Sequence, residues 1–176
     1  GIPFLNNQNA TFYYFIGERE ESDIEDLWAF FEAALLYARE KSESNKKAVS
    51  IGFDAVVNKK GNGNSKITMG LYWIAPDVYM NLDSRNEWYL YKSGKLPQEV
   101  VVSLPRVDGK LSAEQYFEIT EKVQAYLSSG NCPQHNFMEL SAEAWRYSQK
   151  VNDEIKSEQE QYQNDLRSVA DENVET

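Results

Sequence analysis

The chain has 176 residues, 41% hydrophobic and 13% aromatic, a composition that supports one packed core and excludes a wholly disordered chain. Its net charge of −10, from 28 acids and 18 bases, excludes a broadly basic nucleic-acid-coating protein while leaving room for a local basic patch. A single cysteine, Cys132, excludes an internal disulfide, and no run approaches the roughly 18 apolar residues of a membrane span.

Residues 1–17 are rich in Asn and aromatics and read as a loop leading into a short extended run, Thr11 to Ile16. Ser22 and Glu25 then form a capping-box pattern with acids in the first turn. Ile24, Leu27, Trp28, Phe31, Leu35 and Ala38 repeat at helical spacing, with Phe30 and Tyr37 widening the apolar face, so a helix is expected over 23–41. A polar connection at 42–47 leads to an apolar, β-branched run, Ala48 to Val57, which reads as a strand weakened by Gly52. The next segment, residues 58–64, is a basic, glycine-rich turn. It lacks the terminal Gly-Lys-Ser/Thr of a phosphate loop.

Residues 66–74 are expected to form a short buried helix ending before Pro76. Asn81, Asp83, Ser84 and Asn86 supply turn chemistry between apolar flanks, and Arg85 either pairs with Asp83 or presents its guanidinium outward. Val100 to Leu104 reads as a second strand. Ser112 and Gln115 make another capping box for a helix to about 128, with Gly130 as its stop. A loop at 131–136 precedes a last helix expected from Ser141, capped by Ser141 itself, with Tyr162, Leu166 and Val169 continuing its spacing sparsely; residues 171–176 are expected to fray. Residues 152–176 carry eight acids and two bases, which leaves residues 1–151 only mildly acidic.

The expected architecture is α+β: a helix-rich single domain over 1–151 with a small sheet from 48–57 and 99–104, and an acidic helical extension or linker over 152–176. Helices at 23–41, 112–128 and 141–160 would bury Trp28, Phe31, Leu71, Phe117, Val123 and Trp145. The chain reads as a cytoplasmic segment of a larger protein, without catalytic or metal-binding motifs of its own.

Cys132 and His135 are too few for a structural zinc site, and their three-residue spacing in a loop is a poor start for a nucleophile and base. Asp77 and Asp83 lack the dense oxygen ligands of a calcium loop. The aromatic set Tyr72, Trp73, Tyr79, Trp88, Tyr89 and Trp145 either fills the core or lines a pocket for a planar ligand such as a flipped base.

Three phrases carry a family resemblance: residues 1–13, Gly-Ile-Pro-Phe-Leu-Asn-Asn-Gln-Asn-Ala-Thr-Phe-Tyr; Thr68 to Ile74 continuing through Asn81–Asn86 to Trp88-Tyr89; and Phe137-Met138-Glu139-Leu140-Ser141 with Ala144-Trp145. Over about residues 1–150 they resemble the region upstream of the motor in McrB-like AAA+ proteins, the nucleotide-hydrolysing subunits of modification-dependent restriction systems. Ala75 and Glu87 stand where that family's phrases commonly carry basic residues.

The resemblance implies a non-catalytic N-terminal domain, without a cofactor of its own, in a parent that uses GTP or ATP with magnesium and works with a McrC-like nuclease subunit. Two roles follow from it. The domain either recognises double-stranded modified DNA through Trp73, Tyr79, Arg85, Asn86 and Trp88, supported by Lys59, Lys60 and Lys66, or it is a structural or protein-interaction domain for spacing or assembly.

Overall fold

The computed structural model describes residues 11–172, and among these seven helices and no strand are found: α1 (Asp23–Arg39), α2 (Glu43–Val57), α3 (Asn64–Ile74), α4 (Ser84–Tyr91), α5 (Gln98–Ser103), α6 (Ala113–Ser128) and α7 (Phe137–Glu172). The expected α+β arrangement is therefore corrected to an all-helical one. Residues 1–10, which carry most of the first family phrase, lie outside the described residues. So do 173–176, where most of the expected fraying falls, while 171 and 172 are helical.

Both expected strands are helices, for traceable reasons. In α2 the buried side chains are Val49, Phe53, Val56 and Val57, spaced by four, three and one, which is one face of a helix and not the alternation of a strand. Ser42 caps it, its side chain accepting from the Asn45 amide, so the segment 42–47 that read as a connection is the helix start. Gly52 is the point where α1 closes on α2. The run at 99–104 becomes the short α5 after Pro97, with Val102 pointing outward at 73% exposure. Residues 11–16 form bends without a paired strand.

The core forms where α2, α3 and α6 converge with α1. Phe53 and Tyr116 are fully buried and stack at 5.0 Å with 13° between their planes. Tyr116 donates to the Met80 carbonyl at 2.9 Å and Tyr79 to the Ala34 carbonyl at 2.7 Å, so both phenols satisfy their hydroxyls inside the core. The end of α2 returns to the start of α1, where Lys59 pairs with Asp23 and Asp26, both at 2.7 Å. This makes α1 and α2 an antiparallel hairpin. On the far side α4 packs against α7, with Trp88 stacked on Tyr147 at 5.7 Å.

Three cap expectations fared differently. Ser112 and Gln115 form a complete capping box on α6. Ser22 does not cap: it already has helical angles, and its hydroxyl donates to Asp26 at 3.0 Å. Ser141 lies within α7, whose first turn is held instead by Asn136, whose Oδ1 accepts from the Glu139 amide at 2.9 Å. No helix among the described residues is long and apolar enough to cross a membrane.

Candidate functional site

Helix α1 carries two apolar stripes, and only one of them enters the core. The buried line is Phe30 and Ala34, with Leu27, Tyr37 and Ala38 packed beside it. The other line, Ile24, Trp28, Phe31 and Leu35, faces α3 across an open apolar groove of about 640 Å³. Trp28 and Phe31, expected in the core, are 62% and 38% exposed, while Leu71, Phe117 and Val123 are buried as expected. Trp145, also expected inside, is exposed on α7.

The opposite wall of the groove comes from Ile67, Gly70, Leu71, Trp73 and Ile74 on α3, and one end is closed by Phe12 and Tyr13. Gly70 makes this closure feasible: a β-carbon there would sit 2.9 Å from two atoms of the Phe12 ring. Trp28 and Phe31 meet edge to face at 5.7 Å, which orients the Trp28 ring. Trp73 is half exposed across the groove. Large aromatics left open around an apolar depression are the composition of a docking surface.

The residues expected to meet DNA do not converge. Tyr79 is fully buried, and burial raises its phenol pKa well above the ordinary value, with Tyr37 adding to the effect. Asn86 is buried and donates from Nδ2 to Asp83 Oδ1 at 2.9 Å and to Ser141 Oγ at 3.3 Å. Trp73 lies on the groove, while Arg85 and Trp88 lie on α4 beside α7. Arg85 does not pair with Asp83 through its side chain. Asp83 caps α4, accepting from the backbone amides of Arg85 and Asn86 at 3.1 and 2.8 Å, and Arg85 has no ion pair among the described residues.

The three supporting lysines are engaged internally. Lys59 is nearly buried between Asp23 and Asp26; burial works against its charge, but the hydrogen bonds it donates to the two carboxylates outweigh it and raise its pKa. Lys60 pairs with Glu18 at 2.5 Å and lies 4.6 Å over the Tyr14 ring. Lys66 donates to the carbonyls of Thr11 and Gly61 at 2.8 and 2.7 Å, and burial lowers its pKa. An ammonium already bonded to protein acceptors must give those bonds up to reach a phosphate.

The other candidate chemistry is also dispersed. Cys132 Sγ donates to Gln134 Oε1 at 3.3 Å, whereas His135 turns to Glu139, 3.1 Å away. The described residues hold no cluster of three or more His, Cys, Asp and Glu side chains suited to a metal ion. A second cleft of about 540 Å³, between the end of α1 and α6, mixes Lys41, Asp77 and Glu121 with Tyr37 and Phe117.

Residues 1–147 match a family described as a domain of unknown function, DUF8425. The chain belongs to the DUF8425 family. No curated protein and no solved structure matches it. The matched span takes in the whole groove and α4, and it ends within α7, so the DUF8425 domain includes every residue that lines the groove.

Helical spacing alone does not distinguish Trp28 and Phe31, which lie at the surface, from core residues. The available signal was the width of the apolar face of α1. Twelve apolar positions from Ile24 to Ala38 exceed what one core-facing stripe of about 100° accommodates, and the surplus marks a second contact surface.

Proposed function

We propose that this DUF8425 domain is a non-catalytic protein-interaction module that serves assembly, and that its parent is a McrB-like, nucleotide-hydrolysing restriction motor of the cytoplasm. The observation that carries the interaction role is a contrast. The lysines suited to phosphate are bonded to protein acceptors, while Trp28, Phe31 and Trp73 stand open around an apolar groove. The groove's occupant is an apolar helix face of Leu, Ile or Phe side chains from another part of the assembly. The proposal for the parent rests on the sequence phrases alone, and GTP or ATP with magnesium and a McrC-like nuclease belong to that parent.

DNA recognition stands as the second reading because Arg85 is only partly covered, has no ion pair among the described residues, and sits on the helix that carries Trp88. One titration separates the two. The purified domain is added to duplexes carrying cytosine, 5-methylcytosine or 5-hydroxymethylcytosine at about 150 mM salt. The interaction reading expects no saturable binding to any of them. Binding that depends on the modification and is lost in Arg85→Ala would replace it with the DNA reading.

A further inference from the structure

The face of α7 that packs into the body does not stop where the body stops. Phe137, Leu140, Ala144 and Ser148 are buried, and Tyr147 and Val151 are half-buried along the same side. At 100° per residue, Ile155, Tyr162 and Leu166 all fall within about 40° of the direction of Ala144. Residues 152–166 are nevertheless all exposed, these three at 47%, 62% and 47%. The stripe is therefore covered by α4 over its first half and by none of the described residues over its second, where Glu158 and Gln159 stand between Ile155 and Tyr162.

The edges of the uncovered stripe differ. One edge is acidic, formed by Glu154, Glu158 and Asp165. The other is made of the amides Asn152, Gln159 and Gln163. Glu154 lies 3.7 Å from Lys150 on the exposed surface, and Glu158 pairs with no base among the described residues.

We propose that residues 152–166 are a docking surface for an amphipathic helix of a different protein segment, with an apolar ridge and Lys or Arg along the edge that meets Glu158 and Asp165. Charge and sterics both disfavour a second copy of this chain. A copy laid parallel runs into the body, because the body occupies the same face over residues 137–151. A copy laid antiparallel sets the acidic edge against itself, and like charges across a helical seam are repulsive. A basic-edged helix sets cations along this acidic edge and covers the apolar stripe. This surface shares no residue with the α1–α3 groove and stands or falls separately from it.

The test uses the full chain and two designed helical peptides of about 20 residues. They have identical Leu and Ile seams, one bearing Lys along the edge and its twin bearing Glu. Fluorescence anisotropy at low salt is expected to show about tenfold tighter binding of the Lys-edged peptide, with the difference shrinking in about 300 mM salt. The double variant Ile155→Ser, Leu166→Ser is expected to lose both interactions while keeping the wild-type melting temperature, since neither residue is in the core. Glu158→Lys with Asp165→Lys is expected to reverse the preference. Equal binding of the twins, binding unaffected by the seam variant, or no binding to either peptide overturns the proposal. Sedimentation showing a dimer that the seam variant dissolves also overturns it, by making the second copy the occupant.

Discussion

Gly52 lies so close to Phe30 that a β-carbon at position 52 would sit 2.9 Å from Phe30 Cδ2 and 3.2 Å from its Cα. The second contact is with backbone, which a rotamer change cannot relieve. Alanine normally gains about 1 kcal/mol over glycine inside a helix, but here α1 and α2 must part to admit it. Gly52→Ala is expected to destabilise the domain by about 1–2 kcal/mol, read as a lower urea midpoint with an unchanged slope. A variant more stable than wild type would show that the hairpin is not closed at this point.

Lys59 joins the ends of the same hairpin. Its side chain is 10% exposed and that of Asp23 only 4%, so Lys59→Met leaves a buried carboxylate without its counter-charge. A loss of about 2 kcal/mol is expected, below the range for wholly buried pairs because Asp26 is open to solvent. The pH dependence follows from both partners. Hydrogen bonds from Lys59 and then Ser22 hold Asp26 below its ordinary 3.8, so its contribution is present above that value and is lost as pH falls through the folded one. The Lys59 pKa is raised above its ordinary 10.5, so its contribution is present below 10.5 and is lost as pH rises through the folded value. Chemical denaturation across pH should show both limbs in wild type and flatter ones in Lys59→Met.

These two sites mark where the sequence could and could not be read. Asp23 and Lys59 looked like a first-turn acid and a loop base, and nothing local joins residues 36 positions apart. Gly52 read as a weak point in a strand because β-branched neighbours and a glycine fit strand chemistry. The deciding signal was the four-three-one spacing of Val49, Phe53, Val56 and Val57. Helix α6, with its complete capping box, and α3, stopped before Pro76, were legible because local chemistry alone fixes their ends. The groove was half legible: its residues were named as apolar, but which stripe of α1 turns inward depends on partners distant in sequence. Lys60 and Lys66 are expected to support a DNA contact for a related reason, since Glu18 and the Thr11 carbonyl reach them only in the folded chain.

Gly70→Ala is expected to push the Phe12 ring off α3, because the intruding contacts at 2.9 Å are with the far end of a side chain that can rotate. Stability should change by less than about 1 kcal/mol, while an environment-sensitive apolar dye should bind more strongly to the widened groove. Trp28→Ser with Trp73→Ser should abolish dye binding with little change in melting temperature, since both rings are more than half exposed. Undiminished dye binding in that double variant would place the apolar site elsewhere.

Tyr116→Phe removes only the hydroxyl that bonds to the Met80 carbonyl, and the carbonyl it strands is expected to cost about 1–2 kcal/mol. A broader alkaline effect follows from Tyr89 and Tyr91, whose phenols are pushed up to about 12, chiefly by burial. Their contribution is complete below the ordinary value of 10 and is lost as pH rises from there towards 12. Tyrosinate absorbance should rise late in the folded protein and coincide with loss of helical circular dichroism. An early rise with the fold intact would mean these phenols are open to water.

Asp83→Ala removes the acceptor for two backbone amides at the start of α4 and for the Asn86 side chain. A loss of about 1–2 kcal/mol is expected, with Asp83→Asn recovering most of it in the same melting experiment. No recovery would show that charge, and not hydrogen-bond acceptance, is what α4 requires.

The unbroken course of α7 turns residue count into direction. Each position from 152 to 172 inherits its bearing from the contact between Tyr147 and Trp88, advancing 100° and 1.5 Å per residue. One residue inserted after Val151 would leave the body untouched yet swing Ile155, Tyr162 and Leu166 through about a quarter turn, whereas seven inserted residues would restore their bearing to within about 20°. The helix therefore acts as a dial as well as a spacer, and what it meets depends on the phase at which it leaves the body.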